Sequence, residues 1–274
     1  MAVDQEITEL TELTDITSDD LFVIENDPGG TPETRKAKAS NVGKRFVRTQ
    51  IDGMLLSWNS ANSLSVGVGA CYAENGDFID ITTALTASSL SLSVSTWYHI
   101  YVYLSSGAAA MEVVTTAPAA WKSGAYSKTS ATTRRYIGSV KTDSSGNIIK
   151  FRHYPKDNYI AYMKFAANGA PHRCLTAGTA TTATAIALSG AIPSTSTLAY
   201  IRITNLADNI FRSSDDNGVG SSQNTITLTA GNTSSQNAFF PHTTDTSQQI
   251  FYKYDASPST GGGYVDVLGY FFSR

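Results

Sequence analysis

The sequence predicts an all-β protein, and three observations lead to this prediction. Runs rich in β-branched and aromatic residues alternate between apolar and polar positions along much of the 274-residue chain. Clusters of Gly, Asn, Asp and Pro separate these runs at short intervals, as turns do. Only 16% of the residues are charged, and Ser and Thr supply most of the polarity. We therefore expect a small N-terminal unit at 1–47, followed by two antiparallel β-sandwich-like domains at 48–153 and 154–274.

The composition excludes several classes of protein. The 14 Tyr, 11 Phe and 3 Trp indicate packed cores rather than a disordered chain. The net charge is -3 and no Lys/Arg run is present, so we expect no nucleic-acid partner. No apolar run reaches membrane-spanning length, and MAVDQEITEL lacks the pattern of a signal peptide. The sequence therefore predicts a protein that is made in the cytoplasm and not inserted into a membrane.

The N-terminal unit contains a predicted hairpin and a predicted helix. Asp20–Glu25, which includes Phe22 and Ile24, has the pattern of a strand. The turn signal NDPGGTP follows, and Thr34–Ala39 has the pattern of a basic edge strand. Ser40–Arg48 is interpreted as a short helix that Ser40 caps.

Apolar residues are sparse in this N-terminal unit. Ile7, Leu10 and Leu13 recur every three residues among Glu, Thr and Asp. A segment of about 50 residues with so few apolar side chains makes a marginal fold by itself. We therefore expect these residues, together with Phe22 and Ile24, to pack against a neighbour, either another copy of the chain or a docking site.

The strongest strand pattern of the second unit is Trp97–Leu104, WYHIYVYL, which is apolar or amphipathic on both faces. It is predicted as a central strand that is covered on both sides. Downstream, the stretch RRYIGSVKTDSSGNIIKF has the pattern of a hairpin around a turn at Asp143–Asn147. We expect this hairpin to join the same sheet, with Tyr136 and Val140 on one face and Ile137 on the other. Further predicted strands are Gly53–Trp58, Ser63–Tyr72, Phe78–Thr82, Leu90–Val94 and Met111–Thr115.

The third unit begins after a predicted linker, Tyr154–Tyr159, in which Pro and charged residues interrupt the strand pattern. Its longest polar loop is Arg212–Gln223. Predicted strands in this unit are Ile160–Phe165, Thr197–Leu206, Asn224–Thr229, Gln249–Tyr254 and Tyr264–Phe272.

The sequence contains no recognisable catalytic, metal-binding or cofactor-binding constellation. The four histidines are scattered without HxH or HExxH spacing. Carboxylates cluster at Glu74, Asp77 and Asp80 and again at Asp215 and Asp216, in both cases on turn signals. We interpret both clusters as turns, although a pair of carboxylates is what a glycosidase would need. We expect no enzyme activity and no cofactor. The cysteines Cys71 and Cys174 are predicted to be reduced thiols.

Two regions resemble bacteriophage tail fibres. The segment ITELTELTDITSDDLFVIENDPGGTPETRKAKASNVGK resembles the N-terminal virion-attachment segment of tail-fibre and tail-spike proteins. The blocks TWYHIYVYL and RRYIGSVKTDSSGNI resemble a module that recurs in phage fibre proteins, and VDVLGYFFSR resembles the ends of such chains. The resemblance implies a parallel homotrimer in the virion tail. Its N-terminus would bind another tail or baseplate protein, and its C-terminal domain would point outward.

The function predicted from this resemblance is that of a virion structural protein, a short tail fibre that mediates host attachment. One alternative is an adaptor or decoration protein that anchors another fibre or stabilises the particle. A second alternative, from a different class, is a carbohydrate-active enzyme or a carbohydrate-binding module. A receptor would be bound by the C-terminal domain, because the opposite end is committed to the particle.

The loop Arg212–Gln223 is the predicted receptor-contact site. Polar, Gly-punctuated loops on a rigid sheet are typical carriers of binding residues. Candidate hydrogen-bonding side chains for a host surface polysaccharide are Arg212, Asp215, Asp216 and Asn217. Phe211 is predicted to offer a stacking face for a sugar ring.

Overall fold

Antiparallel β-strands account for every regular element in the part of the chain that the structure describes. This computed structural model describes residues 21–26, 33–38, 49–122, 124–163, 172–219, 226–229 and 235–274. Its strands form several antiparallel sheets, so the predicted all-β class is confirmed. The chain separates into two compact units, 1–48 and 49–274.

The first unit contains a two-stranded hairpin. Strand β1 (Leu21–Asn26) pairs with β2 (Glu33–Lys38), and Leu21 lies opposite Lys38. Each strand begins and ends within one residue of its predicted position. The helix predicted at Ser40–Arg48 lies outside the described residues.

The second unit contains the strands β3 to β23. Their bounds are Ile51–Gly53 (β3), Leu56–Ser60 (β4), Ser63–Val66 (β5), Gly69–Tyr72 (β6), Phe78–Ile81 (β7), Leu85–Ala87 (β8), Trp97–Ser105 (β9), Ala108–Val114 (β10), Pro118–Lys122 (β11), Ala125–Lys128 (β12), Ala131–Lys141 (β13), Phe151–Tyr154 (β14), Tyr159–Tyr162 (β15), Arg173–Gly178 (β16), Thr184–Ala187 (β17), Leu198–Asn205 (β18), Phe211–Ser214 (β19), Ile226–Leu228 (β20), Gln236–Thr243 (β21), Gln249–Tyr254 (β22) and Gly263–Phe271 (β23).

Strand β9 lies inside a five-stranded sheet of order β10-β9-β13-β12-β11. Its consecutive residues Ile100, Tyr101 and Val102 are all fully buried. Because successive side chains of a strand point to opposite faces, both faces of β9 are covered, as the apolar pattern predicts.

A bulge in β13 places Tyr136 and Val140 on opposite faces of this sheet, which corrects their predicted arrangement. Tyr136 lies opposite Tyr101, whereas Val140 lies opposite Tyr98, and the register shifts between Tyr136 and Gly138. Directly paired residues share a face, and an extra residue in one strand reverses the alternation beyond it. Sequence alternation alone could not place the bulge.

The turn Asp143–Asn147 connects two sheets rather than two strands of one sheet. The Asp143 carboxylate accepts hydrogen bonds from the backbone N–H groups of Ser145 and Asn147, at 2.8 and 2.9 Å. Gly146 adopts a φ of 80°, in the left-handed region that glycine tolerates. After the turn the chain leaves β13 and enters β14, which belongs to a different sheet.

The second large sheet has six strands in the order β14-β15-β23-β18-β21, and β16 also pairs with β23. The boundary predicted between His153 and Tyr154 falls within β14. The predicted linker Tyr154–Tyr159 is the turn of the β14–β15 hairpin, in which Tyr154 lies opposite Tyr159. Its Pro and charged residues interrupt the strand pattern because the chain reverses there, while pairing resumes on either side.

The remaining strands of the unit form three smaller sheets of orders β17-β22-β19-β20, β3-β6-β7 and β4-β5-β8. Leu90–Val94, predicted as a strand, is irregular, and the strand in this region is the earlier β8. Two hydrogen bonds anchor the irregular segment: the Leu90 N–H donates to the Asn62 carbonyl, and the Ser93 N–H donates to the Tyr98 hydroxyl.

The core of the second unit is one hydrophobic cluster that extends from Met54 to Phe272. A Cβ at Gly138 would stand 2.7 Å from a methyl carbon of Leu56 and 3.2 Å from the Phe272 ring, so β13 packs closely on both. The buried Tyr136 hydroxyl also lies 2.9 Å from the Thr195 hydroxyl. The regions predicted as two domains therefore share one interior.

Candidate functional site

The predicted receptor-contact loop begins later in the structure than the sequence predicts, because its first residues belong to a strand. Phe211–Ser214 forms strand β19, which pairs with β20 and β22. Asp215, Asp216 and Asn217 follow as an exposed or half-buried turn. Residues 220–223 of the predicted loop lie outside the described residues.

Phe211 does not offer a stacking face, which corrects the prediction. Its side chain is 0% exposed. The ring stacks on Tyr252 with centroids 5.4 Å apart and an interplanar angle of 15°, and it meets Tyr254 edge-on, also at 5.4 Å. Phe211 is therefore a core residue, because the strand that contains it turns this side chain inward.

The guanidinium of Arg212 is engaged within the protein. It donates two hydrogen bonds to the Asp255 carboxylate, at 2.5 and 2.7 Å, and a third to the Thr227 hydroxyl at 3.1 Å. This pairing raises the pKa of Arg212 and lowers the pKa of Asp255. A ligand would have to replace a bidentate pair in order to use this side chain.

Both carboxylates of the turn accept hydrogen bonds from within the protein. The Thr243 hydroxyl donates to Asp215 at 2.8 Å. The Asp216 carboxylate accepts a hydrogen bond from the Gly218 N–H at 2.8 Å, the pattern of an Asx-turn. Asp216 and Asn217 remain exposed, so they form the accessible tip of the predicted site.

The residues predicted for virion attachment belong to the first unit. Ile7, Leu10 and Leu13 lie outside the described residues. Phe22 and Ile24 are in β1, where their backbones pair with Ala37 and Arg35 of β2.

Of the other carboxylate cluster, Glu74 and Asp77 lie in the turn between β6 and β7, as predicted, whereas Asp80 lies in strand β7. The Asn75 amide donates to Asp77 at 2.7 Å, and the Asp77 N–H donates back to the Asn75 side-chain oxygen at 3.2 Å. Among the residues that the structure describes, no group of three or more His, Cys, Asp or Glu side chains is placed to hold a metal ion.

The four histidines are buried. Burial lowers the pKa of His99 to about 4 and that of His153 to about 3, so both imidazoles are neutral at physiological pH. The Ser213 hydroxyl lies 3.3 Å from the Nε2 atom of His242, but Ser213 is fully buried. A substrate therefore has no access to this Ser–His contact.

A cavity of about 910 Å³ lies where the Asp143–Asn147 turn meets the start of β16. The basic side chains around it are committed to contacts within the protein. The Lys150 ammonium lies 5.1 Å from the centre of the Trp58 ring, and the Lys141 ammonium lies 5.2 Å from that of Trp97. Arg173 forms an ion pair with Asp266.

A groove of about 590 Å³ lies on the outer face of the six-stranded sheet. The rings of Tyr154, Tyr159, Tyr200 and Phe271 line it, and the β14–β15 turn forms one rim. Sequence reasoning missed this site because it assigned the first two of these residues to a linker. The signal was the pair of tyrosines that flank PKDN.

No protein-family model matches the chain, and no curated protein is similar to it in sequence. Within the described residues, no helix has the length and apolar character needed to cross a membrane.

Proposed function

We propose that this chain is a virion structural protein, a short bacteriophage tail fibre that mediates attachment to the host. The observation that carries the proposal is the division into a small unit at 1–48 and a much larger β unit at 49–274. The division separates the segment that resembles a virion-attachment region from the fibre-like modules. It is the arrangement expected of a chain that docks at one end and reaches outward with the other.

The first unit is the proposed anchor, and it would bind another tail or baseplate protein. Its sequence contains few apolar residues, so packing against a partner would complete a core that it lacks alone. The second unit is the proposed host-facing part. The exposed turn tip of Asp216 and Asn217 is its predicted receptor contact in the loop.

The proposed fibre is a homotrimer. The number of three chains follows only from the resemblance to phage tail fibres. Light scattering of the purified full chain should give about 88 kDa, three times the chain mass of 29.3 kDa. A mass of 29.3 kDa at micromolar concentration would contradict the fibre assignment.

Immunogold labelling tests the location and the role together. Antibodies against residues 49–274 should label the tails of particles of the phage that encodes the chain, and they should block adsorption to the host. Antibodies of unrelated specificity are the control. Unlabelled particles would reject the proposal, whereas labelled particles with unimpaired adsorption would favour the adaptor role.

A further inference from the structure

Two Asn-Gly pairs lie in exposed turns of the part of the chain that the structure describes. Asn75–Gly76 is in the turn between β6 and β7, and Asn217–Gly218 is in the turn that follows β19. Both asparagine side chains are exposed. A third pair, Asn168–Gly169, lies outside the described residues. The two turns therefore present the same dipeptide in two different hydrogen-bond environments.

Hydrogen bonds hold the side chain of Asn75 at both ends. Its amide nitrogen donates to the Asp77 carboxylate at 2.7 Å, and its amide oxygen accepts from the Asp77 N–H at 3.2 Å. The backbone of this pair is held too. The Asn75 N–H donates to the Thr132 carbonyl at 3.1 Å. The Gly76 N–H donates to the Ala73 carbonyl at 3.0 Å. Neither the Asn75 amide nor the Gly76 nitrogen can move without breaking these contacts.

The side chain of Asn217 is not held in this way. It makes no hydrogen bond, ion pair or ring contact with the described part of the chain. The Gly218 N–H donates a hydrogen bond to the Asp216 carboxylate at 2.8 Å. The proton on the Gly218 nitrogen therefore points at a base, whereas the proton on the Gly76 nitrogen points at a neutral carbonyl. A base within hydrogen-bond distance of a proton has the geometry of a general-base catalyst.

We propose that Asn217 is a site of spontaneous covalent modification, at which the chain deamidates through a cyclic imide. The Gly218 nitrogen attacks the side-chain Cγ of Asn217, and the new N–Cγ bond closes the ring. The proton of the Gly218 nitrogen passes, by way of the turn, to the departing amide nitrogen, the Cγ–Nδ2 bond breaks, and ammonia leaves. Water then opens the imide at either of its carbonyls, which gives aspartate or isoaspartate.

The local structure favours this ring closure at Asn217 over Asn75. Gly218 has no Cβ, so no side chain hinders the approach of its nitrogen to the Asn217 amide carbon. The Asn217 side chain can rotate into place without losing a hydrogen bond, whereas Asn75 must first give up its two bonds to Asp77. Because those bonds add to the barrier, we expect Asn217 to deamidate at least about 10-fold faster than Asn75 in the folded chain.

Deamidation changes both the charge and the backbone of the exposed turn tip. It places a new carboxylate beside those of Asp215 and Asp216, and the isoaspartyl product lengthens the main chain by a methylene group. This tip is the predicted receptor contact, so the modification would alter the surface to which the proposed function assigns adsorption. The reaction itself depends only on the turn, and it is measured on the purified chain without any phage.

The test is peptide mapping of the full chain by mass spectrometry after incubation at pH 8. In the folded chain, the peptide that contains Asn217 should gain the mass of an amide-to-acid conversion and separate into aspartyl and isoaspartyl forms. The peptide that contains Asn75 should stay largely unchanged over the same period. In urea at the same pH both peptides should deamidate at similar rates, because unfolding removes the hydrogen bonds of Asn75 and leaves the same dipeptide.

Two variants test the physical cause. Asp77→Ala removes the carboxylate that holds the Asn75 amide, so it should accelerate deamidation of Asn75 about 10-fold and leave that of Asn217 unchanged. Gly218→Ala adds a side chain beside the reacting nitrogen, so it should slow deamidation of Asn217 and leave that of Asn75 unchanged. Urea unfolding of both variants verifies that they are folded.

Two outcomes would overturn the inference. One is an intact Asn217 amide in the folded chain after a period in which the unfolded chain has deamidated. The other is deamidation of Asn75 as fast as that of Asn217 in the folded chain. Neither outcome bears on the fibre proposal, which the labelling of phage tails tests separately.

Discussion

The Tyr270 hydroxyl donates a hydrogen bond to the backbone carbonyl oxygen of Ser139 over 2.6 Å, although 131 residues separate the two in the chain. Tyr270 belongs to β23 of the six-stranded sheet, and Ser139 belongs to β13 of the five-stranded sheet. Both residues are buried. Burial holds the pKa of Tyr270 well above its usual value, so the hydroxyl remains a donor.

Removing this hydroxyl should destabilise the body of the protein. Tyr270→Phe leaves a buried carbonyl without its side-chain donor, which should lower the free energy of unfolding by about 1–3 kcal/mol. Urea unfolding of the full chain measures the change. Tyr154→Phe is the control, since Tyr154 is exposed and its hydroxyl makes no hydrogen bond with the described part of the chain, and it should stay within about 0.5 kcal/mol of wild type. Equal effects of the two substitutions would refute a stabilising contact between the sheets.

A second prediction concerns the buried carboxylate of Asp266. Arg173 and Arg202 both donate hydrogen bonds to it, and its side chain is 8% exposed. Asp266→Asn removes the charge that both guanidiniums face, so we expect a loss of about 3 kcal/mol or more. The matched control is Asp255→Asn, which breaks the more exposed pair with Arg212 and should cost at most about 1 kcal/mol. Thermal and urea unfolding should rank the variants in this order, and the reverse order would contradict the role of burial.

A third prediction concerns acid stability. Burial lowers the pKa of His99 to about 4, against 6.5 for an ordinary histidine. Below pH 6.5 the unfolded chain binds a proton that the folded chain does not, so His99 should reduce stability as the pH falls from 6.5 to 4. The loss at pH 4 should be on the order of 3 kcal/mol.

The variant His99→Gln isolates this effect. Its side chain does not titrate, so the stability difference between wild type and variant should shift in the variant's favour between pH 6.5 and 4. Urea midpoints measured at half-unit pH intervals test this. A difference that is independent of pH would show that His99 is not held neutral.

A fourth prediction concerns the thiols. Both cysteines are unpaired, and burial raises the pKa of Cys71 and of Cys174 to about 12. The thiolate is the reactive form, so neither residue should react with Ellman's reagent at pH 8 in the native state. Both should react in guanidinium chloride, which provides the internal control. Cys71 is buried and Cys174 is half-buried, so rapid labelling of the folded chain at both positions would contradict the prediction.

Local patterns in the sequence determined much of the secondary structure of this protein. Alternation and β-branched composition predict the hairpin strands β1 and β2 and the strand β9, because successive side chains of an extended chain point to opposite faces. The Asp143–Asn147 turn could also be predicted, because its features are local. The Asp143 carboxylate accepts a hydrogen bond from the backbone of the turn, and Gly146 adopts the positive φ that the turn requires. The lack of a recognisable Ser-His-Asp or metal-binding pattern could also be seen in the sequence, because such patterns are defined by residue types and their spacing.

Only the tertiary structure decided how these elements combine. The sequence pattern ends a unit near His153, but pairing of β14 with β15, and of β15 with β23, joins the two halves into one body. The sequence predicts an exposed Phe211 because a polar loop follows it. In the structure Phe211 lies in a strand, and its ring stacks on Tyr252. The Tyr159 ring packs on Phe271 of β23, about 110 residues away in the chain. Such contacts depend on strand register, and register is set by the packing of the whole sheet, not by any single segment.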